Sequence, residues 1–236
     1  MQATGWFLET AWLIPALPAL SFFLILFFGK KMKYKGAEFG ITAIALSLIL
    51  AICCVGQWMN QVDNASDNYK KNTPYETEEK YSETSSQVLE QNASAEPLEV
   101  ASAEQMNIYA AGEESGYEAV AVDAVIERFT WWETGGKKFQ VGIMVDGLAV
   151  MMLFVVTVIS LLVHIYSTDY VSGDRRYTHY FAFLSLFSAS MLFFVLSENI
   201  LQTIVGWELV GVCSFALIGH WWEEKPNSDA ALKAFL

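Results

Sequence analysis

Five stretches of the chain stay apolar long enough to cross a bilayer: roughly 8–28, 38–58, 144–167, 180–197 and 200–222. Each is close to the ~20 residues that a helix needs to span a hydrocarbon core of ~30 Å. The fourth and fifth are parted only by Ser197, Glu198 and Asn199, the spacing of a tight helical hairpin at a membrane face. Pro15 and Pro18 lie in the first run, where a kink is expected; neighbouring helices in a bundle can satisfy the carbonyls that a proline leaves free. After Lys225, the segment SDAALKAFL predicts the start of a sixth helix. The pattern predicts an all-α polytopic membrane protein with five transmembrane helices and the beginning of another.

Between the second and third runs the pattern stops. From about Gln61 to Asp123 the chain turns to Glu, Ser, Asn and Gln without a sustained apolar period. Such a segment lacks the apolar surface to offset its chain entropy, so disorder or loose structure is expected. The alternation in RFTWWETGGKKFQVGIMV then predicts a β-hairpin turning at Gly135-Gly136, with Trp131 and Trp132 suited to the interfacial aromatic belt. The domain reading is therefore 1–60, a first transmembrane hairpin; 61–128, an acidic outer insertion; 129–143, a β-hairpin link; and 144–236, helices three to five with the start of the sixth.

Charge sharpens this picture. The net charge is −12, yet residues 59–142 hold 16 acidic and 6 basic side chains and so account for −10 of it. The acidity belongs to one segment, and nucleic acid is excluded as a partner. Lys30, Lys31, Lys33 and Lys35 follow the first run, Arg175 and Arg176 the third, and Lys225 and Lys233 the fifth, while the intervening short links have no base. By the positive-inside rule these loops are cytoplasmic, and the N-terminus and the 59–142 segment lie outside. With no base before Lys30, the first run is expected to be a retained helix and not a secretory signal.

Small residues recur at steps of three and four in the second run (Gly36, Gly40, Ala43, Ser47, Ala51) and the fourth (Ala182, Ser185, Ala189), the pattern that lets membrane helices approach closely. Cys53, Cys54 and Cys213 sit in apolar runs without a C-x-x-C pair, so neither a disulfide nor an iron–sulfur cluster is expected in this chain, and no metal-spaced cluster or phosphate loop appears.

The candidate chemistry is intramembrane. Glu208 lies well inside the fifth run, where a charged acid costs ~2.5–3.5 kcal/mol and needs a partner or a purpose. Gly211, Phe215 and Gly219 share its helical face, and two glycines there predict close packing on another helix. The competing reading is a carboxyl that merely fixes helix register through a hydrogen bond. His164, near the end of the third run, is a candidate proton carrier or a helix-end anchor, because imidazole titrates near neutrality. Lys233 is the third candidate, or a lysine that neutralises the membrane surface.

The segments VDGLAVMMLFVVTVISLLVHIYSTDYVSGD, YFAFLSLFSASMLFFVLSENILQTIVGWELVGVCSFALIGHWW and KPNSDAALKAFL closely resemble the antiporter-like L subunit of proton-pumping NADH:quinone oxidoreductase, respiratory complex I, densely over about 145–236 and more loosely over the first two helices. The resemblance implies that Glu208, in a GWE-x-VG motif, interacts with a lysine on a broken seventh helix and tunes that lysine's proton affinity. It implies a family fold of more than a dozen helices with two inverted repeats, a place among other complex I membrane subunits in a bacterial inner membrane, and no cofactor or redox chemistry in this chain. Quinone, NADH, FMN and iron–sulfur clusters are then expected in partner subunits. As the chain ends at Leu236, where the sixth helix begins, a fragment or split subunit is expected. The insertion of roughly sixty acidic residues departs from the family's short outer link. A rival within transport is the large subunit of multi-subunit Na+/H+ antiporters; from another class, a membrane-anchored protein acting through its acidic outer segment.

Overall fold

The apolar runs form the helices of a computed structural model that describes residues 5–72 and 122–235. In chain order these are α1 (Trp6–Glu9), α2 (Leu13–Phe28), α3 (Ala37–Asn72), the strands β1 (Val125–Thr134) and β2 (Lys137–Val145), α4 (Gly147–Tyr170), α5 (Tyr177–Val195), α6 (Ile200–Ile218) and α7 (Lys225–Phe235). Five helices are long and apolar enough to cross a membrane: Leu13–Lys31, Ala37–Asp67, Gly147–Tyr170, Tyr177–Val195 and Ile200–Trp221.

Some boundaries differ from the sequence reading, among them the hairpin, whose strands Val125–Thr134 and Lys137–Val145 extend beyond the expected 129–143 and into the segment expected to be loose. The first run is broken into α1 and α2, because Pro15 has no N–H to offer the carbonyl of Ala11 and its ring crowds that carbonyl. The Ala11 carbonyl accepts from Ile14 N at 3.0 Å instead, and Pro15 becomes the third residue of α2, where a helix needs no donor of its own. The second run does not end near residue 60; α3 continues as helix to Asn72 through a polar sequence. The rest of the expected loose segment, residues 73–121, lies outside the described residues.

The chain divides into one unit of Met1–Trp58 with Asp123–Leu236 and another of Met59–Val122. In the first, α5 is the central helix, with half of its positions buried (50%), whereas α6 has only 17% covered by this chain. Close approach explains the packing. Gly40, Ala43, Ser47 and Ala51 of α3 and Ala182, Ser185 and Ala189 of α5 are all buried. Two apolar clusters result. One, at the hairpin end, joins residues such as Leu8, Ile14, Val145, Leu153 and Leu196; the other gathers Ile25, Ala37, Val171, Tyr177, Phe181 and Ala182. Buried hydroxyls occupy the level between them: Ser47, Thr157, Ser185, Ser188 and Ser190.

β1 and β2 pair antiparallel, from Val125 opposite Val145 to Thr134 opposite Lys137, with an irregularity between Thr130 and Trp132. Gly135 and Gly136 have φ of +55° and +76°, the left-handed pair that a two-residue hairpin turn demands. The hairpin grips the α5–α6 turn. Met144 N donates to Leu196 O at 3.1 Å, Gly142 N to Gln202 Oε1 at 3.1 Å, and Asn199 Nδ2 to Gln140 O at 3.0 Å. Arg128 Nε meets Glu198 Oε1 at 2.6 Å. At the opposite end the basic loops converge: Lys35 Nζ lies 6.0 Å from the Tyr177 ring centre, and Arg176 donates to the carbonyl of His220 and pairs with Glu223.

Candidate functional site

Asn199 caps α6, its Oδ1 accepting from Gln202 N at 2.9 Å, and Glu208 follows as the ninth of the helix's 19 residues. The direction of its side chain is set two residues earlier. A Cβ on Gly206 would lie 3.0 Å from the Cα of Phe194, so the bare Gly206 is where α6 rests on the backbone of α5. At ~100° per residue, Glu208 is about 200° away from that contact and faces outward. It is exposed, and among the described residues it has no hydrogen bond or ion pair.

The close packing expected along its face is present at one end only. Phe215 meets Phe235 of α7 with ring centres 5.6 Å apart, and a Cβ on Gly219 would touch Ala231 at 3.2 Å, but Gly211 faces open space. Lys233 is exposed on α7 and is not paired with Glu208.

His164 is placed differently. Fully buried on α4, it has Nδ1 2.8 Å from the carbonyl oxygen of Ser160 and Nε2 3.4 Å from Ser185 Oγ on α5. A carbonyl only accepts, so Nδ1 carries the proton and the Nε2 lone pair points at α5. Gly40 of α3 closes the third side, where a Cβ would lie 3.1 Å from both His164 Cδ2 and Ser185 Oγ. Ser160 and Ser188 hydroxyls are bonded to each other one turn further along, and Ser188 also donates to Leu184 O at 3.0 Å. In the opposite direction Ser167 Oγ meets Tyr180 OH at 3.3 Å.

The turn after α4 completes the set. Asp174 Oδ1 accepts from Arg176 N at 2.7 Å and Oδ2 from Trp221 Nε1 at 2.8 Å. The Arg176 amide above all, with the Trp221 indole and the neighbouring His220, holds the Asp174 carboxyl below the usual aspartate range. His220 Nε2 is 3.4 Å from Asp174 Oδ2, within reach of its charge but without the alignment of a hydrogen bond, so this buried nitrogen has no hydrogen-bond partner. The Tyr180 ring stands edge-on to His220 with centres 5.3 Å apart.

Tyr180, Ser185, Ser188 and His220 were not singled out as chemistry by the sequence reading. Ser160, His164 and Ser167 fall at i, i+4 and i+7 of one helix face, a polar stripe that was available as a signal. The approach of His220 to Asp174 across two turns had none.

Five helices long and apolar enough to cross a bilayer define a multi-pass membrane protein. Residues 131–181 match the family model described as NADH-Ubiquinone oxidoreductase (complex I), chain 5 N-terminus. The chain is 35% identical over 228 residues to the F(420)H(2) dehydrogenase subunit L of Methanosarcina mazei, covering 97% of this chain and 25% of that one. It is 45% identical over 116 residues to a chloroplastic NAD(P)H-quinone oxidoreductase subunit 5 of Physcomitrium patens and 43% over 106 residues to NAD(P)H-quinone oxidoreductase chain 5 of a Synechocystis species. These alignments cover 48% and 45% of this chain and 16% of each relative. The chain thus belongs to the family of the antiporter-like L subunit, chain 5, of complex I, and spans a quarter or less of the length of these relatives.

Proposed function

We propose that this chain works within the proton-translocating membrane subunit of a complex I-type quinone oxidoreductase, and that Glu208 is the charge through which proton affinity is tuned. The observation that carries this reading is the outward-facing, unpaired carboxylate in the middle of α6. An isolated ionised acid there costs ~2.5–3.5 kcal/mol, and a lysine ammonium brought to it favours the charged form. Once paired, protonation of either group changes the affinity of the other, which couples a remote event to proton release. The basic loops are cytoplasmic in this reading, the hairpin end lies outside, and Lys233 sits at the cytoplasmic membrane surface. The other membrane subunits of the complex are its partners. NADH, FMN, iron–sulfur clusters and quinone are handled in partner subunits, and this chain carries no electrons.

The test is Glu208→Gln in the assembled complex, reconstituted in sealed vesicles. The expected result is normal assembly with proton uptake reduced about tenfold or more, and partial activity for Glu208→Asp, since Gln keeps shape and hydrogen bonding and removes only charge. Pumping equal to the parent would overturn the role of Glu208 and return it to register-fixing.

A further inference from the structure

The irregularity between Thr130 and Trp132 decides which way β1 turns its aromatic side chains. Before it Phe129 lies opposite Val141, after it Trp132 lies opposite Phe139, and residues 139 and 141 of β2 share a face. The extra residue therefore puts Phe129 and Trp132 on one side of the hairpin, with Val125 opposite Val145 and Glu127 opposite Ile143. Arg128, Thr130 and Glu133 take the other side. Among the described residues of the apolar face, Glu127 is the only acid. The base of that face, Val125, Ile143 and Val145, is buried in the core, whereas Phe129 and Trp132 are exposed.

A cavity of about 580 Å³ lies between this face, α2, α5 and α6. Its walls run from Trp12 and Phe129 at the hairpin end to Ala19, Leu186 and Leu209 within the spans. Leu209 is seven residues beyond Gln202, about 10 Å further along α6. The polar side chains of the wall are committed inside the protein: Ser190 Oγ donates to Leu186 O at 2.7 Å, and Gln202 Oε1 accepts from Gly142 N. Water finds few partners there, and an empty cavity forfeits dispersion contacts along its whole wall, so hydrocarbon is the filling that fits. The mouth, in contrast, is charged by Glu127 and Arg128. Arg128 gives Nε to Glu198, and its Nη groups make no hydrogen bond among the described residues; Glu127 has no hydrogen bond or ion pair among them either.

We propose that this cavity holds one hydrocarbon tail of a membrane lipid whose headgroup carries both a phosphate and a primary ammonium, as a phosphoethanolamine lipid does. The Nη groups of Arg128 take the phosphate oxygens, for which a guanidinium fork is suited, and the Glu127 carboxylate takes the ammonium. Trp12 and Phe129 flank the tail where it leaves the headgroup, the level that amphipathic and aromatic rings favour in a bilayer. Glu127 sets the preference: a quaternary choline has no N–H to give it, and a glycerol headgroup brings no cation at all. The site needs only that the chain spans a bilayer and is independent of proton translocation.

The test uses the full-length subunit in its assembled complex, depleted of lipid in detergent and reconstituted with a phosphatidylethanolamine that carries a diazirine at the end of one acyl tail. Light should attach this probe to the segments around Ala19, Leu186 and Leu209, read by peptide mass spectrometry, about threefold or more above phosphatidylcholine or phosphatidylglycerol probes with the same tail. Glu127→Gln should bring the ethanolamine and choline probes to parity in a complex that still assembles. Arg128→Gln should lower labelling by all three probes about threefold or more, because each loses its phosphate contact. Labelling elsewhere on the complex but none at these segments would mean that another stretch of polypeptide fills the cavity, and overturns the proposal. Equal labelling by the three probes in the parent, or an ethanolamine preference that survives Glu127→Gln, overturns it as well.

Discussion

Ser47 Oγ donates to the carbonyl of Ile14 at 2.9 Å, across from α3 to α2. This is the carbonyl that Pro18, four residues on and without an N–H, cannot satisfy. Both groups are buried, so the side chain of one helix replaces a backbone bond of another, at a level where lipid offers nothing.

Ser47→Ala should therefore destabilise the bundle by ~1–3 kcal/mol, the cost of a buried acceptor left unmade. In a Pro18→Ala background the restored N–H takes over the Ile14 carbonyl, and Ser47→Ala should then cost less than ~1 kcal/mol. A double-mutant cycle on thermal unfolding in detergent reads the difference. Equal costs in the two backgrounds would show that the two residues are not linked.

Gly206 and Gly211 make a matched pair on α6. A methyl at Gly206 meets the Phe194 backbone at 3.0 Å, and main chain does not swing aside, so Gly206→Ala should cost ~1–3 kcal/mol by forcing α6 away from α5. Gly211→Ala enters open space and should change stability by no more than ~0.5 kcal/mol among these residues. The unfolding midpoints of the two variants, measured side by side, decide this.

Arg128 and Glu198 should contribute modestly despite their 2.6 Å contact, because the Arg128 side chain is 51% exposed. Replacing both by Ala should cost no more than ~1 kcal/mol beyond the single variants' packing losses, and raising salt should shrink that coupling. A coupling unaffected by salt would mean that the pair is held out of water.

Asp174 lies outside the spans and has a lowered folded pKa, so its contribution is present above the ordinary aspartate value of ~3.9 and is lost as pH falls through the folded value. Asp174→Asn should thus be less stable than the parent at neutral pH, with the gap closing in acid below about pH 4. Unfolding curves of both proteins across pH 3 to 7 test it; a gap that widened in acid would reverse the sign of the argument.

Much of this was legible in sequence because hydropathy over 20 residues reports a property of the whole helix, insensitive to what packs where. The five spans are of that kind, whereas the turn at Gly135-Gly136 was legible from local alternation around a glycine pair. The break before Leu13 is a local conflict between a continuous apolar run and the missing donor of Pro15, which a hydropathy window averages away. The face shared by Glu208, Gly211, Phe215 and Gly219 follows from helical geometry, but the direction of that face does not: it depends on Gly206 sitting against Phe194, a contact between helices. The His164 site is similar. One polar stripe on α4 was visible, while its partner Ser185 and the pair Asp174–His220 arise from long-range packing that carries no periodic signal.

The strand β2 runs into α4 across a single residue, the N-cap Asp146, and the same strand binds Leu196 and Gln202 on either side of the start of α6. It therefore works as a depth gauge. Residues along a strand are spaced ~3.3 Å apart, whereas helical residues rise ~1.5 Å each, so slipping the α5–α6 turn by one notch along β2 would lower or raise α6 by about two helical residues. Glu208 would be carried with it to a different level. A short hairpin thus calibrates the level of a carboxylate six residues beyond its Gln202 contact, about 9 Å along α6 at ~1.5 Å per residue.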